Sequence, residues 1–189
     1  RVRLRVINAS AMTNFNLRIP GVPMTVIAAD GLDVQPVETD EIQIAIAETY
    51  DVIVTPAGAG PHAIVAEALD RSGQVRATLA TQPGMIAPIP PIRSRPILTM
   101  RDMGMDMEGM GAMHHSMAMR DGANAPSVKM GPGVAMIAPM PVNRLADRPT
   151  GLEDVEHRVL TYADLRARDA NPDHRAPTRR IDVHLTANM

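Results

Sequence analysis

Methionines and a histidine pair are concentrated between residues 100 and 119, where eight of the twenty residues are methionine. They recur every two to four positions and are separated mainly by glycine, acidic residues and alanine. Thioether sulfur is polarizable and carries no proton, so it favours Cu(I) and its mimic Ag(I), and imidazole can complete a mixed shell. This run predicts a soft-metal site. Its candidate ligands are Met100, Met103, Met105, Met107, Met110, Met113, His114, His115, Met117 and Met119.

Two other interpretations of the methionine run stay open. Methionine-rich surfaces also serve as adaptable apolar contacts, and a low-complexity linker can have this composition without binding anything. The interleaved glycine and aspartate suit neither a helix nor a strand, so residues 99–142 are predicted to be flexible. Several two- and three-sulfur sites are feasible in such a segment, and the sequence does not single out one ligand set.

The composition excludes several classes of protein. The chain has 189 residues, a formal charge of -2 and no cysteine, which excludes disulfides, thiolate zinc sites, iron–sulfur clusters and the cysteine of a blue-copper centre. Its 19 cationic side chains are scattered among 21 acidic ones, so no nucleic-acid partner is expected. The apolar runs are far shorter than the roughly 20 residues that span a bilayer, so no membrane insertion is expected.

The segments that must position this run are predicted to be β-strands. Alternating apolar residues indicate strands with one face in a core, first at Ile42, Ile44 and Ile46 and then at Tyr50, Val52 and Val54. The predicted strands cover residues 1–8, 15–19, 24–29, 42–46, 50–54, 63–69 and 75–81, and another begins at 181. Such strands, without a long amphipathic helix, predict an all-β antiparallel sandwich with an aliphatic core. Five prolines within 82–100 predict an extended tether along a surface.

No catalytic or cofactor-binding residue is predicted within the chain. Acidic groups such as Glu38, Asp40 and Glu41 fall in turns or on faces predicted to point outward. A carboxylate pair needs a cleft and a perturbed pKa before it indicates acid–base catalysis. His184 occupies a polar strand face, where a lone histidine is commonly solvated, and it receives no role.

Several runs resemble the middle of a three-domain multicopper oxidase and, more narrowly, the periplasmic CopA type of copper-resistance oxidase. They are LRVINAS (4–10), VIAADGLDVQPV (26–37), AETYDVIV (47–54), LTMRDMGM (98–105), VLTYADL (159–165) and IDVHLTANM (181–189). The resemblance implies a cupredoxin-like Greek-key β-sandwich at 1–98 and a Met-rich, flexible copper-binding segment at 99–142. It also implies a linker and the first strand of the following cupredoxin-like domain at 143–189.

The resemblance implies an enzyme that oxidises its substrate by single electrons at one copper and reduces dioxygen to water at a copper cluster. In that family the copper ligands are His-X-His pairs and a His-Cys-His run in the flanking domains, and neither motif occurs here. The chain is therefore expected to be a periplasmic spacer fragment with the signal peptide outside it. The alternative is a free-standing periplasmic copper-binding β-sandwich without oxidase activity, and flanking histidine motifs in the reading frame would decide between them.

Overall fold

The structure is a computed structural model that describes residues 1–103, 122–124, 126–129, 131–134, 137, 143–179 and 181. The chain divides into two compact units. The first comprises Arg1–Ile97 and Leu145–Ala170, and the second comprises Leu98–Arg144 and Asn171–Met189. Short 3-10 helices lie at Met100–Met103, Gly122–Asn124 and Tyr162–Asp164. No helix of the described residues is long and apolar enough to cross a membrane.

The first unit is a sandwich of two four-stranded antiparallel sheets. The strands are β1 (Val2–Ile7), β2 (Phe15–Arg18), β3 (Met24–Ala29), β4 (Leu32–Thr39), β5 (Glu41–Ile44), β6 (Thr49–Val54), β7 (His62–Ala68) and β8 (Gln74–Leu79). The first sheet has the order β1-β6-β3-β4 and the second has the order β5-β2-β7-β8. The chain passes between the sheets at every connection except β3–β4 and β7–β8, which are hairpins within one sheet. The predicted all-β sandwich is confirmed.

The core between the sheets is aliphatic, as the alternation of the strands predicts. Tyr50, Val52 and Val54 of β6 are all buried, and Ile42 and Ile44 of β5 meet them from the second sheet. Because side chains alternate along a strand, each strand presents one apolar row to this layer. The remaining buried members of the cluster are Leu17, Ile19, Val22, Met24, Val26, Val34 and Leu160.

Strand β4 is an element that the sequence analysis did not identify. It contains Pro36, and proline normally argues against a strand because it lacks an N–H for the ladder. The register against β3 shifts here, since Val26 pairs with Val37 while Ala28 pairs with Asp33. Strand β4 is also the edge of its sheet. An irregularity on an edge strand is a position where proline costs no ladder hydrogen bond.

The predicted inward position of Ile46 is wrong. Ile46 continues the alternation of Ile42 and Ile44, but β5 ends at Ile44 and Ile46 is 44% exposed. The chain turns here because Ala47 adopts a φ of 64° and its N–H donates to the carbonyl of Asn8 at 3.1 Å. The apolar alternation of the sequence therefore extends beyond Ile44, where β5 ends.

Residues 145–170 pair with both sheets on one side of the sandwich. The Gln35 N–H of β4 donates to the carbonyl of Arg166 at 2.8 Å, and the Leu160 N–H donates to the carbonyl of Glu41 in β5 at 3.0 Å. Two exposed edges are thereby supplied with partners. This stretch lies within the range that the sequence assigned to a linker. The division of the chain at 98/99 and 142/143 stays a prediction.

Candidate functional site

The predicted soft-metal site lies largely outside the described residues. Met100 and Met103 belong to the short 3-10 helix Met100–Met103, where the Thr99 N–H donates to the Asp102 carboxylate at 2.8 Å. The other candidate ligands, and most of the segment predicted to be flexible, lie outside the residues that the structure describes. They are Met105, Met107, Met110, Met113, His114, His115, Met117 and Met119. The soft-metal site therefore stays a prediction.

The described residues do not fit the catalytic copper centres that the resemblance implies. Among them, no three histidine, aspartate or glutamate side chains are grouped so that they could hold a metal ion. The full sequence contains no cysteine, the residue that a blue-copper centre requires.

The structure instead places a group of ionisable side chains on the outer face of the second sheet. We call it the buried ion cluster, and it consists of Glu41, Glu67, Arg71, Arg93 and His157. Glu41 on β5 and Glu67 on β7 are both fully buried, with 0% exposure. Glu41 lies on an outward strand face, as the sequence indicated, but that face is buried because two later segments of the chain cover it.

Arg93 joins the two buried carboxylates. Its Nη2 and Nη1 lie 2.5 and 3.1 Å from the Glu41 oxygens, and its Nε lies 2.7 Å from Oε2 of Glu67. The Arg93 backbone N–H donates to Oε1 of Glu67 at 2.8 Å. Arg71 Nη1 also lies 3.4 Å from Glu67, and His157 Nε2 lies 2.6 Å from Glu41. Both carboxylates thus have charged partners, which buried carboxylates need.

The charges of the buried ion cluster suit a structural ion-pair network that holds residue 93 to the sheet, and they do not suit an acid–base catalyst. Burial alone would raise the pKa of Glu67, but hydrogen bonds from Arg93 and the charges of Arg93 and Arg71 together lower it. Burial also favours the neutral form of Arg93, yet its bonds to Glu41 and Glu67 raise its pKa. Glu67 therefore stays ionised at neutral pH and has no proton to donate.

Arg93 belongs to a proline-rich segment, residues 86–97, that we call the strap. Along the strap the least exposed positions recur every third residue, at Ala87, Pro90, Arg93 and Pro96. Ala87 packs against Ala63 and Val65 of β7. A period of three is the repeat of a polyproline II helix. The predicted surface tether is thus a docked segment with one inward face.

A second stretch covers the same face beside the strap. The Gln43 side chain donates to the carbonyl of Thr150 at 3.1 Å, and Arg71 Nη2 donates to the carbonyl of Gly151 at 2.9 Å. Gly151 has a φ of 79°, and a Cβ there would lie 3.0 Å from Arg71 and 3.1 Å from Pro96. Only glycine fits this close approach without displacement.

Comparisons with known proteins agree with the sequence runs described above. The sequence model of the multicopper oxidase family matches residues 1–84. The chain is 43% identical over 234 residues to Copper resistance protein A of Escherichia coli, covering 100% of this chain and 38% of that protein. It is 42% identical over 218 residues to the Copper resistance protein A homolog of Pseudomonas syringae pv. tomato, covering 100% and 37%. The laccase of Botrytis aclada is 29% identical over 50% of this chain and 19% of its own, with a TM-score of 0.43.

The chain therefore belongs to the multicopper oxidase family, and its sandwich is a cupredoxin-like domain of that family. Within the family it is similar over its whole length to copper resistance protein A. The predicted resemblance and fold class are confirmed. The chain spans less than two fifths of the length of these curated relatives.

Arg93 and Glu67 are not among the site residues predicted from the sequence. A signal was present in the strap, where Arg93 follows Ala87 and Pro90 at intervals of three. That period marks the inward face of a polyproline II helix. Its carboxylate partners are on distant strands, however, so the local pattern could not name them.

Proposed function

We propose that this chain is the spacer domain of a periplasmic copper-resistance multicopper oxidase. The whole enzyme couples one-electron oxidation of a substrate, or of Cu(I) itself, to the reduction of dioxygen to water. One observation carries the proposal: the chain aligns over its full length with Copper resistance protein A but contains no cysteine. Its partners are the flanking cupredoxin domains of the same polypeptide, which hold the catalytic coppers, and copper ions.

The architecture of the first unit supports a rigid spacer. The aliphatic core and the edges paired with residues 145–170 need no metal to form. The buried ion cluster holds the strap to the second sheet. A spacer with these features keeps two copper-bearing domains at a set separation.

The methionine run at 100–119 supplies the copper-resistance part of the proposal. Thioethers bind Cu(I) without releasing a proton, and eight of them in twenty residues allow several exchanging sites. Copper in this run is cargo or substrate, distinct from the catalytic coppers. Binding here would raise the local concentration of Cu(I) beside an oxidase that consumes it.

Oxygen uptake tests the proposed function. The parent polypeptide with its flanking domains, and the 189-residue chain alone, are loaded with copper and given Cu(I) in an oxygen electrode. The parent should consume dioxygen faster than Cu(I) in buffer alone, and the 189-residue chain should not exceed that uncatalysed rate. A copper-loaded parent that binds Cu(I) but consumes no dioxygen would overturn the oxidase and favour a copper-sequestering sandwich.

A further inference from the structure

The strap carries exposed isoleucines on the face beside its inward one. Ile86, Ile89 and Ile92 are 66%, 39% and 44% exposed, and they recur every third residue. Each precedes an inward residue of the strap by one position. We call these three side chains the isoleucine ridge. In a polyproline II helix, which rises about 3.1 Å per residue, the ridge is about 19 Å long. Single exposed apolar residues are common, but an aligned row indicates a contact surface.

The buried ion cluster determines which face of the strap points outward. If the strap were shifted along the sheet by one residue, so that each isoleucine took the place of the inward residue that follows it, the three isoleucines would face the sheet. The same shift would take the Arg93 guanidinium away from Glu41 and Glu67 and leave both buried carboxylates without it. The observed register buries a guanidinium and leaves three isoleucines in water. Their apolar surface is therefore available to another partner.

The ridge is also rigid before any partner arrives. Prolines at 88, 90 and 91 restrict the backbone, and Arg93 and the Pro90 carbonyl, which accepts from Gln74 at 2.9 Å, attach it to the sheet. Docking therefore costs little conformational entropy. The same prolines lack N–H groups, so the ridge does not suit pairing with an added β-strand. It suits an apolar groove that accepts side chains.

We propose that the isoleucine ridge docks into an apolar groove on a flanking domain of the same polypeptide. This inference rests on the proposed function. The chain spans 37% and 38% of two relatives that align with all of it, so most of such a polypeptide lies outside this structure. The ridge itself carries no charge, which matches an apolar surface and not an acidic or basic one.

Hydroxyl-radical labelling read by mass spectrometry tests the docking directly. The extent of labelling of Ile86, Ile89 and Ile92 is compared between the 189-residue chain and the parent polypeptide. Each value is divided by the labelling of the same residue in the protein unfolded in urea. The buried Ile42 is the internal reference and should stay weakly labelled in both. We expect ridge labelling to fall about fivefold or more in the parent, because interface cores exclude water. Equal labelling in the two proteins overturns the proposal.

Two further measurements separate this inference from its alternatives. Protection that rises with protein concentration, accompanied by dimers in size-exclusion chromatography, would assign the ridge to a second copy and overturn the proposal. The triple change of Ile86, Ile89 and Ile92 to Ser should leave the melting temperature of the chain unchanged and lower that of the parent. If the isoleucine ridge is protected from labelling in the parent polypeptide but the parent takes up no oxygen, only the oxidase function is refuted. If the parent takes up oxygen but the ridge is not protected, only the docking is refuted.

Discussion

The guanidinium of Arg93 lies against the carboxylate of Glu41, with Nη2–Oε1 and Nη1–Oε2 distances of 2.5 and 3.1 Å. The two residues are 52 positions apart in the chain. One belongs to a segment without regular secondary structure and the other to an edge strand, and together they fasten the strap to the sandwich. The stability of the first unit should therefore depend on a side chain that lies outside every strand.

Replacing Arg93 with Met should reduce the free energy of unfolding by about 3–5 kcal/mol, because it leaves Glu41 and Glu67 buried without their main partner. The change keeps a long side chain and removes the charge. The measurement is urea unfolding at pH 7. Arg95→Met is the matched control, since Arg95 is exposed on the same strap and should cost under about 0.5 kcal/mol. A loss of unfolding free energy below about 1 kcal/mol for Arg93→Met would show that the buried ion cluster does not fasten the strap to the sandwich.

Asp51 should make the unfolding free energy of the sandwich depend on pH in the acidic range. Hydrogen bonds from Arg5, at 2.8 and 2.9 Å, and from Arg3 hold the pKa of Asp51 well below its usual range. A depressed folded pKa contributes stability that is complete above the unfolded value, about pH 4, and is lost as the pH falls below it. The difference in unfolding free energy between wild type and Asp51→Asn should therefore be largest near neutral pH. It should shrink below about pH 4, and a difference independent of pH would contradict this origin.

Tyr162 should titrate late in the folded chain. Tyr162 is 54% exposed, but its partial burial, then its hydrogen bond to the Glu48 carboxylate and the charges of Glu48 and Asp30, raise the pKa of Tyr162 to about 12. Its contribution to stability is thus complete below about pH 10 and is lost as the pH rises through the folded value. Absorbance at 295 nm should show little phenolate at about pH 10.5 while circular dichroism still reports a folded chain. Glu48→Gln should move one tyrosine to lower pH, and an unchanged titration would exclude the carboxylate as the cause.

The facing of β5 can be tested by two substitutions that the sequence alone treats alike. Ile44 is 2% exposed, so Ile44→Asp should place an unpaired charge in the core and cost several kcal/mol, about 4 or more, which is enough to unfold a small domain. Ile46 lies beyond the end of the strand, so Ile46→Asp should cost under about 1 kcal/mol. Thermal melting compares them directly. Equal destabilisation by both changes would contradict the turn at Ala47.

The copper role of the methionine run can be separated from apolar contact. Changing Met103, Met105, Met107, Met110 and Met113 together to Leu keeps bulk and apolarity but removes the sulfur ligands. Titration against a Cu(I) competitor should show at least about a tenfold loss of affinity with folding retained. Met12→Leu together with Met85→Leu is the control, since both lie outside the run. Unchanged affinity in the five-fold variant would remove this run from copper binding.

The pH dependence of that affinity is a second check on the ligands. Binding through thioethers should hardly change with pH, because a thioether has no titratable proton. Any share carried by His114 and His115 should fade below about pH 6, where imidazole protonates. Zinc should bind poorly without thiolates. An affinity for zinc that matches the affinity for Cu(I) would contradict a thioether site.

The sequence by itself determined the strand faces that meet in the core and the classes of metal centre that cannot form. Alternation alone placed Val52, Val54 and Ile44 inward, because successive side chains of a strand point to opposite faces. The absence of cysteine excluded a blue-copper centre within the chain, whatever its fold. The runs of resemblance, shared along its whole length, were sufficient to identify the family.

Tertiary structure decided what packs on the polar faces and where the strands end. Alternation distinguishes two faces of a sheet, but it does not tell whether the polar face meets water or another segment. The sequence placed Glu41 in a turn or on an outward face, yet Glu41 and Glu67 are both buried beneath later segments of the chain. Strand β4 tolerates Pro36 only because its register shifts on an edge, and Ile46 is exposed only because a turn intervenes. These outcomes depend on contacts between residues far apart in the chain, and local periodicity carries no information about such contacts.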